Sequence, residues 1–336
     1  MIALLLALVL QPAPPRPAEL RSFGDWIVGC DNGRACQAVG LVTYADETPR
    51  VTLTLRRGAE ASAEPVILIN HGEAGGGSLE ADGRRLPVRL IAASDAVIVH
   101  PADTLALADA MRSARRLLLR DASGAVLGEI SVSGASASML YMDEQQRRLD
   151  NATALVRRGA HPAAHVPPPP PLPEVRLAPA PTAGPAPVSD AQIAALRRQT
   201  DCTLEEVGGP DLHETVALEP GKTLVLLACG SGAYNVTYLP FIMEGEGAGA
   251  RLRQAEFDSQ WAMEDLDRPT LINAEWDAER RLLTEFSRGR GLGDCGTKAS
   301  YGWDGRRFRL VEQQNMDQCQ GAVDFITTWR ARVVRP

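Results

Sequence analysis

The sequence predicts a mainly β protein with a few helices (α+β): two antiparallel-sheet lobes, sandwich or barrel-like, joined by a proline-rich linker. Three observations predict it. Short apolar runs bounded by turn residues recur on both sides of the middle of the chain. Residues 161–187 hold 11 of the 24 prolines. Two of the six cysteines precede that stretch and four follow it. A length of 336 residues suits two lobes of ordinary size. Hydrophobic residues at 45% and charged residues at 23% give a globular mix. A net charge of −7 leaves no cationic footprint for nucleic acid. The arginine pairs at 56–57, 115–116, 147–148 and 306–307 stand beside acidic or apolar neighbours, as solvated faces do.

The first lobe is expected over residues 19–160. Phe23-Gly-Asp-Trp-Ile-Val-Gly-Cys30 alternates large apolar with small or polar residues, the pattern of a half-buried strand. Asp31-Asn-Gly33 turns the chain into Ala35–Gly40. Val51–Leu55 and Val66–Ile69 are further strands, and Leu117–Arg120 and Val126–Val132 flank a turn at 121–124. One helix starts at Asp103 or Thr104 and runs to about Ser113. A longer one follows Gly134 through Met139, Met142, Gln146, Leu149, Thr153 and Val156.

Residues 161–188 form the linker. Pro167 to Pro171 are consecutive; their fixed φ and missing amide donors favour an extended rod acting as a semi-rigid spacer. The second lobe, 189–336, opens with Ser189 as the N-cap of a helix to about Gln199. Strands follow at Thr223–Ala228, Tyr234–Met243, Leu271–Trp276, Leu282–Phe286 and Phe325–Val334. Tyr301 and Trp303 face Phe308 and Leu310 across Asp304-Gly305, a hairpin turn whose two positions call for positive φ.

Cysteine usage and the start of the chain point to export. None of Cys30, Cys36, Cys202, Cys229, Cys295 and Cys319 forms a Cys-x-x-Cys pair, which removes the zinc-ribbon and thioredoxin readings. Six cysteines allow 15 connectivities. Pairing within each lobe leaves three, of which Cys30–Cys36, Cys202–Cys229 and Cys295–Cys319 close local loops. A loop of about 25 residues contributes roughly 3 kcal/mol, and only in an oxidising compartment. The apolar run Met1–Leu10 has the length of a signal-peptide core, giving a signal over 1–18, although no Lys or Arg precedes it. No later stretch is long enough to span a bilayer, so a periplasmic or secreted protein with no stable membrane span after signal removal is expected.

Several motifs resemble chemistry without completing it. His71-Gly-Glu-Ala-Gly-Gly-Gly-Ser78 suggests an oxyanion loop, but no Gly-x-Ser-x-Gly elbow exists in the chain. Gly221-Lys-Thr223 ends like a phosphate loop, yet Val216 stands where its first glycine must be. Gly245–Gly249 and Gly289–Gly293 read as turns. Glu264, Asp265 and Asp267 near Asp258 lack the spacing and glycine of a calcium loop. No catalytic, cofactor-binding or metal residues are therefore assigned.

Taken together, Asp25-Trp26, Cys30-Asp-Asn-Gly-Arg-Ala-Cys36, Gly291-Leu-Gly-Asp-Cys295, Trp303-Asp-Gly305, Phe308-Arg-Leu-Val-Glu312, Cys319 and Thr327-Thr-Trp-Arg330 resemble the proteobacterial domain-of-unknown-function family 1176, from about Phe23 to Arg332. The resemblance implies an exported protein and brings no activity with it. Through Asp25-Trp26, Cys30, Cys36 and the helix after Gly134, the first lobe is also similar to the invasion-associated locus B group. That similarity implies a periplasmic module acting by interaction.

The expected function is a non-catalytic binding module of the envelope, with an envelope protein or a cell-wall ligand as partner and no nucleic acid. Trp261, Trp276 and Trp303 are the candidate binding aromatics, because large amphipathic rings anchor ligands; strand-borne tryptophans more commonly serve the core. Two alternatives come from other classes. One is a secreted hydrolase using Ser78 or a carboxylate pair. The other is a periplasmic inhibitor of cell-wall lytic enzymes, since Cys229-Gly-Ser-Gly-Ala-Tyr-Asn-Val-Thr-Tyr238 resembles small lysozyme inhibitors.

Overall fold

The computed structural model describes residues 14–41, 51–70, 77–93, 96–202, 213–259 and 268–336. The apolar run at the start of the chain, residues 71–76 of the glycine loop, Trp261, and the acidic Glu264, Asp265 and Asp267 lie outside them. Among the described residues strands dominate, with three α-helices: α1 (Thr104–Ser113), α2 (Ala135–Gln145) and α3 (Asp190–Thr200).

Seven antiparallel strands build the first sheet. In spatial order they are Arg21–Phe23, Trp26–Cys30, Cys36–Gly40, Thr52–Arg57, Val66–Asn70, Ala96–Val99 and Leu90–Ala92. A four-stranded sheet (Val126–Ile130, Leu117–Arg120, Ser78–Ala81, Arg84–Arg85) shares one core with it and with α1 and α2. Gly134 enters α2 at φ +94°, where a Cβ would stand 1.6 Å from the Phe23 carbonyl oxygen, so no larger residue fits.

α2 stops at Gln145 instead of running to Val156 as the spacing predicts. A buried ion pair explains the difference. Arg57 and Asp143 are both fully buried and meet at 2.6 Å. The Asp143 carboxylate also accepts from the amides of Leu155 and Val156, each at 2.9 Å. The chain must leave the helix to bring those amides back, and it does so through Arg147 at φ +58°. Arg57 completes the network by donating to Gln146 Oε1 at 2.6 Å and to the Thr153 carbonyl at 3.0 Å. Burial lowers the pKa of Arg57, and Asp143 opposes that shift.

The C-terminal half contains two five-stranded antiparallel sheets. One comprises His213–Glu219, Lys222–Ser231 and Val236–Glu244, the last of which also pairs with Arg251–Gln254 and Leu271–Ile272. The other runs Glu275–Asp277, Leu282–Arg288, Gly296–Trp303, Phe308–Met316, Ile326–Arg330. Their inner faces meet through Leu224, Leu226 and Ile242 on one side and Leu283, Tyr301 and Phe308 on the other, as in a sandwich. α3 covers the outer face of the first of these sheets with Ile193 and Leu196. Ser189 and Gln192 form its capping box. Among the described residues no sheet closes into a barrel.

Four local readings change. Leu271–Trp276 divides at Asn273, whose φ is +47°, into Leu271–Ile272 of the first of these sheets and Glu275–Asp277 of the other. The hairpin around Asp304 carries a four-residue loop, 304–307, in which only Gly305 has positive φ. The Asp304 carboxylate accepts from the amides of Arg306 and Arg307, so side-chain hydrogen bonding replaces the two-residue turn. Phe325–Val334 divides into Ile326–Arg330 and Arg332–Val334. Trp26–Cys30 is buried on both faces, not on one: Trp26 and Val28 enter the N-terminal core, while Ile27 packs with Val39, Met316, Phe325 and Ile326 of a second cluster.

That second cluster joins the two halves, and the proline-rich stretch is docked on them. Arg34 donates to the carbonyls of Pro167 and Pro168. Glu174–Arg176 then pairs in parallel with Arg332–Val334. Val175 and Leu177 are buried against Leu282 and Val311. A Cβ at Gly302 would lie 2.6 Å from Leu177 Cδ2, so glycine lets this segment lie flat on the sheet.

One carboxylate sits inside the sandwich. Glu285 is 4% exposed; Tyr301 donates to it at 2.7 Å and the Ile272 amide at 3.3 Å. Burial pushes its pKa from 4.5 up to about 7, and these two hydrogen bonds hold it from rising further.

Two stability predictions follow from these groups. Asp143→Ala strands a buried guanidinium and is expected to cost about 3–5 kcal/mol in urea unfolding. Arg57→Met combined with Asp143→Leu should recover part of that loss. For Glu285, the folded state holds the proton more tightly than the unfolded chain between pH 4.5 and about 7. Stability therefore falls as pH rises through that window and is lowest above it. Glu285→Gln should raise the unfolding free energy by about 3 kcal/mol at pH 8 and change it little at pH 4. An equal effect at both pH values would contradict this reading.

Candidate functional site

Side chains along a strand alternate between faces. In the last sheet Leu283, Glu285 and Tyr301 point into the sandwich, which places Thr284, Phe286, Lys298 and Ser300 on the outer face. Strand register aligns those outer residues into two rows. One row passes from Glu275 through Thr284, Ser300 and Glu312 to Arg330. The second passes from Phe286 through Lys298 and Gln314 to Thr327. At about 4.8 Å per strand, the first row is roughly 19 Å long.

The same sheet face is covered on either side of these rows. Val175 and Leu177 cover it near Leu282 and Gly302. Phe286 and Phe325 close it toward the N-terminal half, with ring centroids 5.5 Å apart. Between them lies a polar trough. A cavity of about 370 Å³ is lined by Glu275, Thr284, Lys298, Ser300, Glu312 and Gln314, within the size range of small-ligand sites. A second, of about 230 Å³, is lined by Thr327 and Arg330, the register neighbours of Gln314 and Glu312, and by Asp31, Gln37, Arg56 and Glu64 of the N-terminal half. Ser300, 7% exposed, forms the floor.

The charges of the trough are largely balanced. Arg330 pairs with Asp31, Arg56 with Asp324, and Arg280 with Asp277. Asp324 also accepts from Thr54 at 2.7 Å and Asn70 at 3.1 Å, fixing the C-terminal half to the first sheet. The Lys298 ammonium lies 4.1 Å from the Phe325 ring centroid and 4.9 Å from that of Phe286. Burial lowers its pKa, and Asp324 partly opposes that. Gln314 donates to Glu312 at 2.6 Å.

Few of the residues singled out from the sequence lie here. All six cysteines pair as Cys30–Cys36, Cys202–Cys229 and Cys295–Cys319. Trp303 is 2% exposed and belongs to the sandwich core; Trp276 is half-buried against that core. Ser78 lies opposite Arg120 in the four-stranded sheet, with no histidine among the described residues hydrogen-bonded to it. Among the described residues no cluster of His, Cys, Asp and Glu is suited to hold a metal, and no helix is long and apolar enough to cross a membrane. Thr284, Ser300, Glu312 and Gln314 were missed. Their signal was the polar alternation within strands read only for their apolar positions.

The uncharacterized protein YpfG of Escherichia coli (strain K12) is similar to the chain, 29% identical over 350 aligned residues that cover 94% of each protein. No solved structure matches. The family described as "Protein of unknown function (DUF1176)" matches residues 20–332, and the protein belongs to that family.

Proposed function

We propose that this is an exported envelope protein that acts by binding, with the polar trough as its ligand site. In this reading residues 1–18 are a signal, 19–160 and 189–336 are the two lobes, and 161–188 link them. Three disulfides support a compartment outside the cytosol. The trough carries the binding reading. It offers two register-aligned rows of hydrogen-bonding side chains, and none of its hydroxyls (Thr284, Ser300, Thr327) is bonded to a histidine, lysine or carboxylate among the described residues. Glu312, Thr327, Arg330 and Asp31, which are among the residues that carry the family resemblance, line it. A kinship of the first lobe with the invasion-associated locus B group, read from Asp25-Trp26, Cys30 and Cys36, is part of this proposal.

A second reading is inhibition of a cell-wall lytic enzyme. It is favoured by Tyr234, 38% exposed, on the loop between Lys222–Ser231 and Val236–Glu244. Its hydroxyl donates to the Gly289 carbonyl at 3.2 Å, three residues before Leu292, which is 74% exposed. Wild-type protein that slows lysozyme-driven clearing of cell-wall suspensions, with Tyr234→Ala abolishing the effect, would favour this reading. No slowing at saturating protein removes it.

Export is tested by osmotic-shock fractionation with thiol alkylation. The protein should leave cells with the periplasmic fraction, resist alkylation when native and unfolded without reductant, and gain six adducts after reduction. Retention in the cytosol with alkylatable cysteines would contradict the proposal.

A further inference from the structure

We propose that the trough takes a neutral, β-linked oligosaccharide lying across the strands, one sugar ring to each strand. This rests on the binding reading above and names the ligand. Neighbouring strands stand about 4.8 Å apart, close to the advance of a β-1,4-linked chain per pyranose ring. Successive rings therefore meet equivalent pairs of side chains: Thr284 with Phe286, Ser300 with Lys298, Glu312 with Gln314, and Arg330 with Thr327. Hydroxyls, a carboxamide and a carboxylate together donate and accept, as sugar hydroxyls require. Phe286 borders the trough with its ring held among Lys298, Arg288 and Phe325.

Charge and topology narrow the ligand further. The four arginines that line the trough, Arg56, Arg57, Arg280 and Arg330, are paired with carboxylates, and Lys298 is held over two aromatic rings. Among the described residues Glu275 and Glu312 have no such cationic partner (Glu312 accepts from Gln314), so a polyanion would meet two carboxylates along the row. An extended peptide binds a sheet by pairing with an open edge. Of the two edges of this sheet, Ile326–Arg330 is engaged at Arg330, whose amide and carbonyl both bond the Asn32 side chain, and Glu275–Asp277 is the other. The trough face itself therefore favours a ligand that contacts side chains alone, is uncharged and repeats at the strand spacing, and the peptide comparison below tests addition at the Glu275–Asp277 edge.

The test is calorimetric titration of the full-length protein with the β-1,4-linked hexamer of N-acetylglucosamine. A hyaluronan hexamer and an uncharged Gly-Ser decapeptide serve as comparisons. The chitin hexamer is expected to bind one to one and more tightly than either. Thr284→Val and Gln314→Ala should each weaken it about tenfold, and Thr284→Trp, which fills the trough, should abolish binding while the melting temperature stays near wild type. The proposal is overturned if the chitin hexamer gives no heat, if the hyaluronan hexamer or the peptide binds as well, or if binding survives Thr284→Trp. Co-sedimentation with isolated cell envelopes separates the two levels of the argument. If wild type sediments and Thr284→Trp does not, while the hexamer fails to bind, the ligand class falls and the binding site stands. If neither sediments and no probe binds, both fall.

Discussion

The arrangement depends on a seven-residue loop, closed by the Cys30–Cys36 disulfide, that grips the closing strand of the other half. Asp31 has a fully buried carboxylate that does two jobs. It accepts from the amides of Gly33 and Ala35 at 2.8 and 3.0 Å, which shapes the loop, and it receives the Arg330 guanidinium. Asn32 donates to the Arg330 carbonyl at 2.9 Å and accepts from its amide at 2.8 Å. A side-chain amide thereby stands in for the next strand. Without it, Ile326–Arg330 would present an open edge, a template for unwanted pairing. The disulfide limits the freedom of the loop before contact, so less entropy is lost in forming the grip.

Around that grip the chain repeats one solution: polar contacts at the rim and apolar packing behind. Asp324 is held by Thr54, Arg56 and Asn70 on one side, and Ile27, Val39, Phe325 and Ile326 fill the interior. Cys295–Cys319 ties the loops that deliver this interface, and Asp294 adds a bond to the Gly321 amide at 2.7 Å. The docked segment through Val175 and Leu177 returns over the same sheet. The trough is what these two coverings leave exposed. Its walls therefore come from both halves, and its shape is set by how they are joined.

Much of the fold was legible because it is local. Ser189 with Gln192 marked α3, turn residues marked most hairpins, and the even cysteine split favoured the bridges that form. What was hidden is long-range. The apolar spacing after Gly134 continues past Gln145, and only the buried Arg57 shows why the helix must stop at Asp143's network. Ile27 and Val39 carried a signal for a second buried face, since a strand apolar on both sides is covered on both. The consecutive prolines revealed a stiff segment but not where it docks, because that depends on Gly302 and Val311 some 130 residues away. The trough was invisible for a related reason. Thr284, Ser300, Glu312 and Arg330 are scattered in sequence, and only the register brings them into a row.

The central claim is that the halves are clasped, not held apart by a proline rod. Small-angle X-ray scattering of the protein in dilute solution tests this most directly. A clasped chain of this length should give a radius of gyration of about 20 Å and a single-peaked distance distribution. A value above roughly 35 Å with two resolved maxima, as two bodies on an extended proline segment would give, contradicts the account.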